Sequence, residues 1–262
     1  MSKFVLKNAT ILFDKYNLSG ELNEVTINLT KADVDITVHG QSAMARLGGL
    51  KSLDASWSGF FEAGSTGLFS DNISFASLGS DTKVLTIIPE GATVGDPCYT
   101  TRVTQFEYST GGSVGDAMSF SGSALSSGGD PIVRGYLLCG EAFVSAGANN
   151  GTAVNTLAPS TIGVRANDTL YGVYHCVGTS VGTSCAIKIQ SDEVGFSSPT
   201  DVITFTGITS TTEVAEWKTD TDTDTNTYWR SVVTPVGVTV SYEIYCVAGI
   251  IPNVHYPRVV ES

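Results

Sequence analysis

Apolar and polar side chains alternate from Leu53: Leu53, Ala55, Trp57, Gly59 and Phe61 fall on one face, and Ser52, Asp54, Ser56 and Ser58 on the other. A two-residue period predicts a strand with one face buried and one in water. Gly48-Gly49 and Gly64 punctuate its ends. Before it, 4–13 reads as a first strand closed by turn formers over 14–20, and 25–29 with 34–38 reads as a hairpin around Lys31-Ala32-Asp33. Residues 39–49 follow as a connection of small residues, longer than the roughly 4–6 typical of compact domains.

Only one segment has helical spacing. Ser65 or Thr66 can cap a short helix running to Leu78, with Phe69, Ile73 and Ala76 on one face, Asp71 in the first turn and Gly79 at its end. Further strands are predicted over 84–88, 99–108, 117–124 and 132–138, then 170–177, 185–190, 202–205, 228–233 and 238–247. In the last, Val238, Val240, Tyr242, Ile244 and Cys246 share a face. Residues 146–160 lack charge and, Leu157 apart, large side chains, so the domain boundary is expected near Gly151, dividing the chain into 1–150 and 151–262. The predicted class is all-β: a sandwich or barrel with one short flanking helix, then a second β-sandwich of jelly-roll or immunoglobulin-like type.

Composition agrees. Charged residues are 15 % of the 262, and the 28 glycines suit short strands joined by tight turns. A net charge of −12 argues against nucleic-acid binding, which needs Lys and Arg at phosphates. The acidity is spread evenly, −6 in 1–150 (nine basic, fifteen acidic) and −6 in 151–262 (five and eleven). No apolar run approaches the roughly 20 residues that cross a bilayer. The first residues do not lead into a signal-peptide core, so a soluble protein made in a cytoplasm is expected.

Ordered along the first half are pieces that resemble the major tail, or tail tube, proteins of long-tailed phages. They are Phe13-Asp14-Lys15-Tyr16-Asn17-Leu18-Ser19-Gly20, Arg46-Leu47, Gly49-Leu50-Lys51, Ser58-Gly59-Phe60-Phe61-Glu62-Ala63-Gly64, Pro89-Glu90-Gly91, Gly95-Asp96, Glu107-Tyr108-Ser109 and Val114-Gly115-Asp116. Later segments, such as Ile189-Gln190-Ser191-Asp192 and Tyr228-Trp229-Arg230, are similar but generic. Val38-His39-Gly40-Gln41 and Met44-Ala45 depart from the pattern. The resemblance implies a virion protein, made in the host cytoplasm, that stacks with itself in rings, sixfold or trimeric, to form a tube for DNA delivery. It also implies other tail proteins at the tube ends and DNA passing through the lumen without specific binding. On that analogy the inter-ring loop comprises His39, Gly40, Gln41, Ser42, Ala43, Met44, Ala45, Arg46, Leu47, Gly48 and Gly49, and the second domain is an outward decoration or a second tube-like domain.

Catalytic and metal chemistry is weakly signalled, and neither an enzyme nor a cofactor is expected. Two GxSxG strings, 111–115 and 178–182, lack the strand-to-helix context that exposes a nucleophile. Cys98, Cys139, Cys176, Cys185 and Cys246 are an odd number without CxxC spacing and read as buried thiols. His39, His175 and His255 show no metal spacing. Asp220, Asp222 and Asp224 open like a calcium loop, yet Thr225 stands in place of the required Gly and Ser231 in place of the bidentate Glu. The Asn-x-Ser/Thr triplets are acceptors only in a secreted chain. The competing functional class is a carbohydrate- or receptor-binding module on the virion exterior, with Trp57, Trp217 and Trp229 as a stacking platform; exposure of Trp217 would favour it.

Overall fold

The computed structural model describes residues 9–39, 42–61, 70–80, 83–143, 145–155, 164–193, 195–209 and 214–252. Among these it is all-β, with sixteen strands and one helix. By Cα proximity the chain divides into two units, Ile11–Ile87 with Thr100–Ile132, and Met1–Thr10 with Ile88–Tyr99 and Val133–Ser262. This differs from the expected division at 150/151. The strand that carries 133–143 pairs in antiparallel register with the C-terminal strand, so pairing over long sequence separation outweighs chain order.

The first unit contains β1 (Thr10–Phe13), β2 (Tyr16–Asn17), β3 (Leu22–Asp35), β4 (Arg46–Phe60), α1 (Ser70–Ser77), β5 (Lys83–Ile88), most of β6 (Pro97–Gly111) and β7 (Ser119–Ser126). Pairing runs β3-β4-β7-β6, with β5, β1 and β2 continuing beyond β6. The alternation is observed over 52–57, where Leu53, Ala55 and Trp57 are buried and Ser52, Asp54 and Ser56 are exposed; Ser58 is half-buried, and Phe61 is half-buried and lies past the end of the strand. Trp57 packs on Phe13 at 5.7 Å between ring centroids. Its indole lies over Gly122, the residue directly opposite on β7, where an added Cβ would stand 2.8 Å from Nε1. Gly59 is equally constrained, since a Cβ there would meet the Glu21 carbonyl oxygen at 2.1 Å. Both glycines serve close approach.

Several expectations are corrected here. No hairpin turns at Lys31-Ala32-Asp33: β3 is one 14-residue strand whose residues pair with β4 from Leu22↔Gly59 to Asp35↔Arg46. The first strand is described only from Thr10; 1–8 lie outside the described residues, as do the cap candidates Ser65 and Thr66 and the face residue Phe69. In α1 the buried stripe is Ile73, Ser74 and Ser77, and Ala76 is exposed, because the helix is rolled relative to the expected face. Gly79 closes it in the left-handed region (φ 65°), its N–H donating to the Gln105 carbonyl at 2.9 Å.

The second unit is a sandwich of two sheets. One is ordered β14 (Ala215–Asp220), β11 (Thr169–Val181), β16 (Ser241–Ile251), β8 (Val133–Phe143), and the other β10 (Val154–Asn155), β15 (Tyr228–Val236), β12 (Ser184–Asp192), β13 (Thr200–Thr204), with β9 (Asn149–Asn150) also on β15. Between them Tyr174, Cys176, Tyr242, Ile244 and Cys246 face Cys185, Ile187, Ile189, Trp229 and Val233. Strand β14 is absent from the sequence expectation because it is polar and its residues are mostly half-buried. Val238, assigned to the final strand, lies in the turn before it and is fully exposed.

All five cysteines are buried, and none is in a disulfide. Burial pushes the Cys139 and Cys185 thiols up to about 12 from an ordinary value of about 9, and raises Cys98 and Cys246 as well. Because the folded values exceed the unfolded ones, these thiols leave stability undiminished below about pH 9 and erode it as pH rises toward about 12. Denaturant midpoints are therefore expected to fall across that window, and a disulfide reagent at pH 8 should label the thiols only after unfolding. Trp57→Ala is expected to destabilise the first unit by about 3–5 kcal/mol, read from denaturant unfolding.

Candidate functional site: an open-edged sheet and its hairpin arm

The β3–β4 hairpin has two parts with different environments. Over residues 54–59 β4 is sandwiched between β3 and β7, and the inner side chains from Leu53 to Trp57 enter the core with Ile11, Phe13, Leu85 and Phe120. Beyond the Leu29↔Leu53 pair the ladder with β7 has ended, and only β3 and β4 hold each other. There Leu29, Val34, Ile36, Val38, Met44 and Leu50 are all exposed, Leu50 at 87 %. Residues 29–52 thus form an arm with apolar side chains in water.

Its tip is tied by a local network. The Asp35 carboxylate accepts from the Thr37 N–H at 2.9 Å, the Ala45 N–H donates to the Thr37 hydroxyl at 2.9 Å, and the Ile36 N–H donates to the Ala45 carbonyl at 2.9 Å. Hydrogen bonds from the Thr37 hydroxyl and backbone hold the Asp35 carboxyl below its ordinary value. Arg46 and Asp33 form an exposed ion pair across the hairpin. Of the predicted loop, His39, Ser42, Ala43, Met44 and Ala45 lie in the connection, Gly40 and Gln41 fall outside the described residues, and Arg46, Leu47, Gly48 and Gly49 belong to β4. Arg46, Leu47 and Gly48 pair with Asp35, Val34 and Asp33 because β3 runs on to Asp35, and Gly49 falls at the register shift between Lys31 and Asp33.

Two features of the pairing escape sequence reading. Among the described residues β3 pairs with β4 alone, so fourteen residues present an unpaired edge. The outward face of β3-β4-β7-β6 lines up Glu24, Ser58, Ser121 and Ser109 in one row, Thr26, Ser56, Ser123 and Glu107 in the next, and Asn28, Asp54, Leu125 and Thr104 in a third. These rows hold three carboxylates and no cation, and a groove of about 220 Å³ between Glu24 and Glu107 is walled by the serines. On the flank, Asp71 of α1 accepts from the Tyr108 hydroxyl, and burial followed by this carboxylate raises the phenol. Phe75 and Phe106 are exposed beside it, at 69 % and 61 %. Phe75 stands on the polar side of the expected helix, a visible signal; Phe106 is exposed by a register shift between Gln105 and Glu107 that periodicity does not reveal.

The other candidates separate. Trp57 and Trp229 are buried, and Trp217 is half-buried against Tyr171 at 5.5 Å between centroids, so the three do not form a platform. Asp220 and Asp224 spend acceptors on the backbone N–H groups of Asp222 (3.1 Å) and Asn226 (2.8 Å), and Asp224 also accepts from Ser191. Of the GxSxG strings, 111–115 leads into the turn between β6 and β7, and 178–182 leads from β11 into the turn before β12. His39 is exposed, His175 is fully buried, and His255 lies outside the described residues. No described helix is long and apolar enough to cross a membrane.

No protein-family model and no curated protein matches the chain. Among solved structures it is similar to a chain of the virion of a native gene transfer agent particle, at 17 % identity, over 48 % of this chain and 95 % of that one, with a TM-score of 0.38. It is similar to a chain of the tail of an empty gene transfer agent particle of C6 symmetry, at 18 % identity, over 47 % and 94 %, with a TM-score of 0.37. It is also similar to the SPP1 Dit protein, of the hub adsorption apparatus of phages infecting Gram-positive bacteria, at 11 % identity, over 94 % and 100 %, with a TM-score of 0.37.

Proposed function

We propose that the chain is a structural subunit of a phage-type tail, and that it polymerises as stacked rings into the tail tube through which DNA is delivered. The observation that carries this reading is the 14-residue open edge of β3. A long unpaired edge is a template for another strand, and in a finished protein it calls for a partner. The apolar arm at 29–52 supports it, because its exposed side chains gain from burial against a neighbour. The ordered tail-tube resemblance in the sequence points to the same class. In this reading the β3 edge joins copies around a ring and the arm reaches the adjacent ring. The polar face carrying Glu24, Asp54 and Glu107 lines the lumen and repels phosphate, so DNA slides without being held.

Electron microscopy of the purified protein should show rings or tubes, and dispersed monomers at high concentration would overturn the proposal. Shortening the arm by removing residues 36–45 with a two-residue turn should leave a soluble subunit of unchanged circular dichroism that no longer forms tubes; normal tubes would remove the arm from the assembly. Glu24→Lys, Asp54→Lys and Glu107→Lys together should preserve tubes while slowing genome delivery, and unimpaired delivery would move this face out of the lumen.

A further inference from the structure

We infer that the exposed junction of α1 and β6, around Phe75, Leu78 and Phe106, is the seat for the arm of a second copy of this chain. The inference rests on the self-assembly reading and names a surface that the reading leaves open. Leu78 bridges Gln105 and the Asp71 carboxylate meets the Tyr108 hydroxyl, so α1 lies along β6 from Tyr108 to Gln105. At this junction Phe75, Leu78 and Phe106 are 69 %, 42 % and 61 % exposed. Exposed aromatic side chains grouped this way are costly to leave in water.

Charge selects the occupant. On the arm Lys31 stands directly opposite Lys51, a like-charge cross-strand pair that opposes the hairpin. Lys31 is laid across Gly48, and neither ammonium has a carboxylate within ion-pair reach among the described residues. At the junction the Asp71 carboxylate accepts from the Tyr108 hydroxyl, and no cation reaches it among the described residues. The arm therefore brings two uncompensated cations beside Leu50, and the junction holds the uncompensated Asp71 carboxylate one helical turn from Phe75. In the first unit the arm carries three cations against two carboxylates, whereas the remainder carries three against ten. A second copy thus presents the matching charge.

The test uses two singly labelled full-length chains, Leu50→Cys and Phe75→Cys, treated with a short bis-maleimide; the five native thiols are buried. Mixed chains should give a crosslinked dimer that neither chain gives alone, and loss of the dimer at high salt should follow screening of the charges. In parallel, Phe75→Ser with Phe106→Ser, both at exposed positions, should raise the concentration needed for assembly about tenfold, equivalent to about 1.4 kcal/mol, with circular dichroism unchanged. Wild-type tubes with no mixed crosslink and an unshifted threshold for the double variant would overturn the seat while leaving self-assembly intact. A wild-type chain that never associates would overturn both.

Discussion

The unpaired backbone edge of β3 is the constraint on which the first unit turns. Its fourteen residues lie along β4 on one side, and on the other no strand among the described residues pairs with them. Proteins usually blunt such edges by shortening them, by placing Pro on them or by twisting them with bulges. β3 is long and has no Pro; its protection is two register irregularities, at Leu22/Glu24 and Lys31/Asp33, and the charge of Lys31. Its partner β4 is anchored in the core by Trp57 packed on Phe13 and against Gly122. Anchoring ends at Leu53. Beyond it the arm has ladder hydrogen bonds but no core, so its local stability is lower than that of the sheet that carries it.

The legible parts of the fold are those in which one residue's environment repeats at a fixed period. Residues 52–60 were readable because a single face is buried and the period of two has no competitor. Lys31-Ala32-Asp33 misleads because its composition suits a turn, while the ladder from Asp33 to Gly48 overrides that local preference. The roll of α1 is illegible for a different reason: Ser74 and Ser77 are buried, so the helix hides polar side chains that a hydrophobic pattern assigns to solvent. β14 has no strong alternation to read, being held by its pairing with β11 from Leu170↔Asp220 to His175↔Ala215.

The site was legible in composition and illegible in topology. Residues 39–49 stand out as a stretch of small side chains, and most of them are indeed at or near the arm's tip. That β3 has no second partner among the described residues is a property of the whole pairing scheme, which no local window contains. The carboxylate rows are likewise an outcome of register: Glu24, Asp54 and Glu107 are far apart in the chain and share a face only because β3, β4, β7 and β6 align them.

The proposed self-association has to be reconciled with an acidic chain. A unit with twelve carboxylates and six cations repels its copies at long range, which keeps free subunits apart. Half of those cations, Lys31, Arg46 and Lys51, sit on the one segment that extends beyond the core. Arg46 is engaged by Asp33, whereas Lys31 and Lys51 face each other. Bringing carboxylates of a neighbour between that pair would relieve repulsion within the arm and between copies at once, so attraction is confined to the arm's contact. The outward face of the sheet keeps its uncompensated acidity. In the proposed assembly the same acidity that opposes nonspecific aggregation would leave a specific contact as the favourable route to a polymer, and a surface that repels polyphosphate.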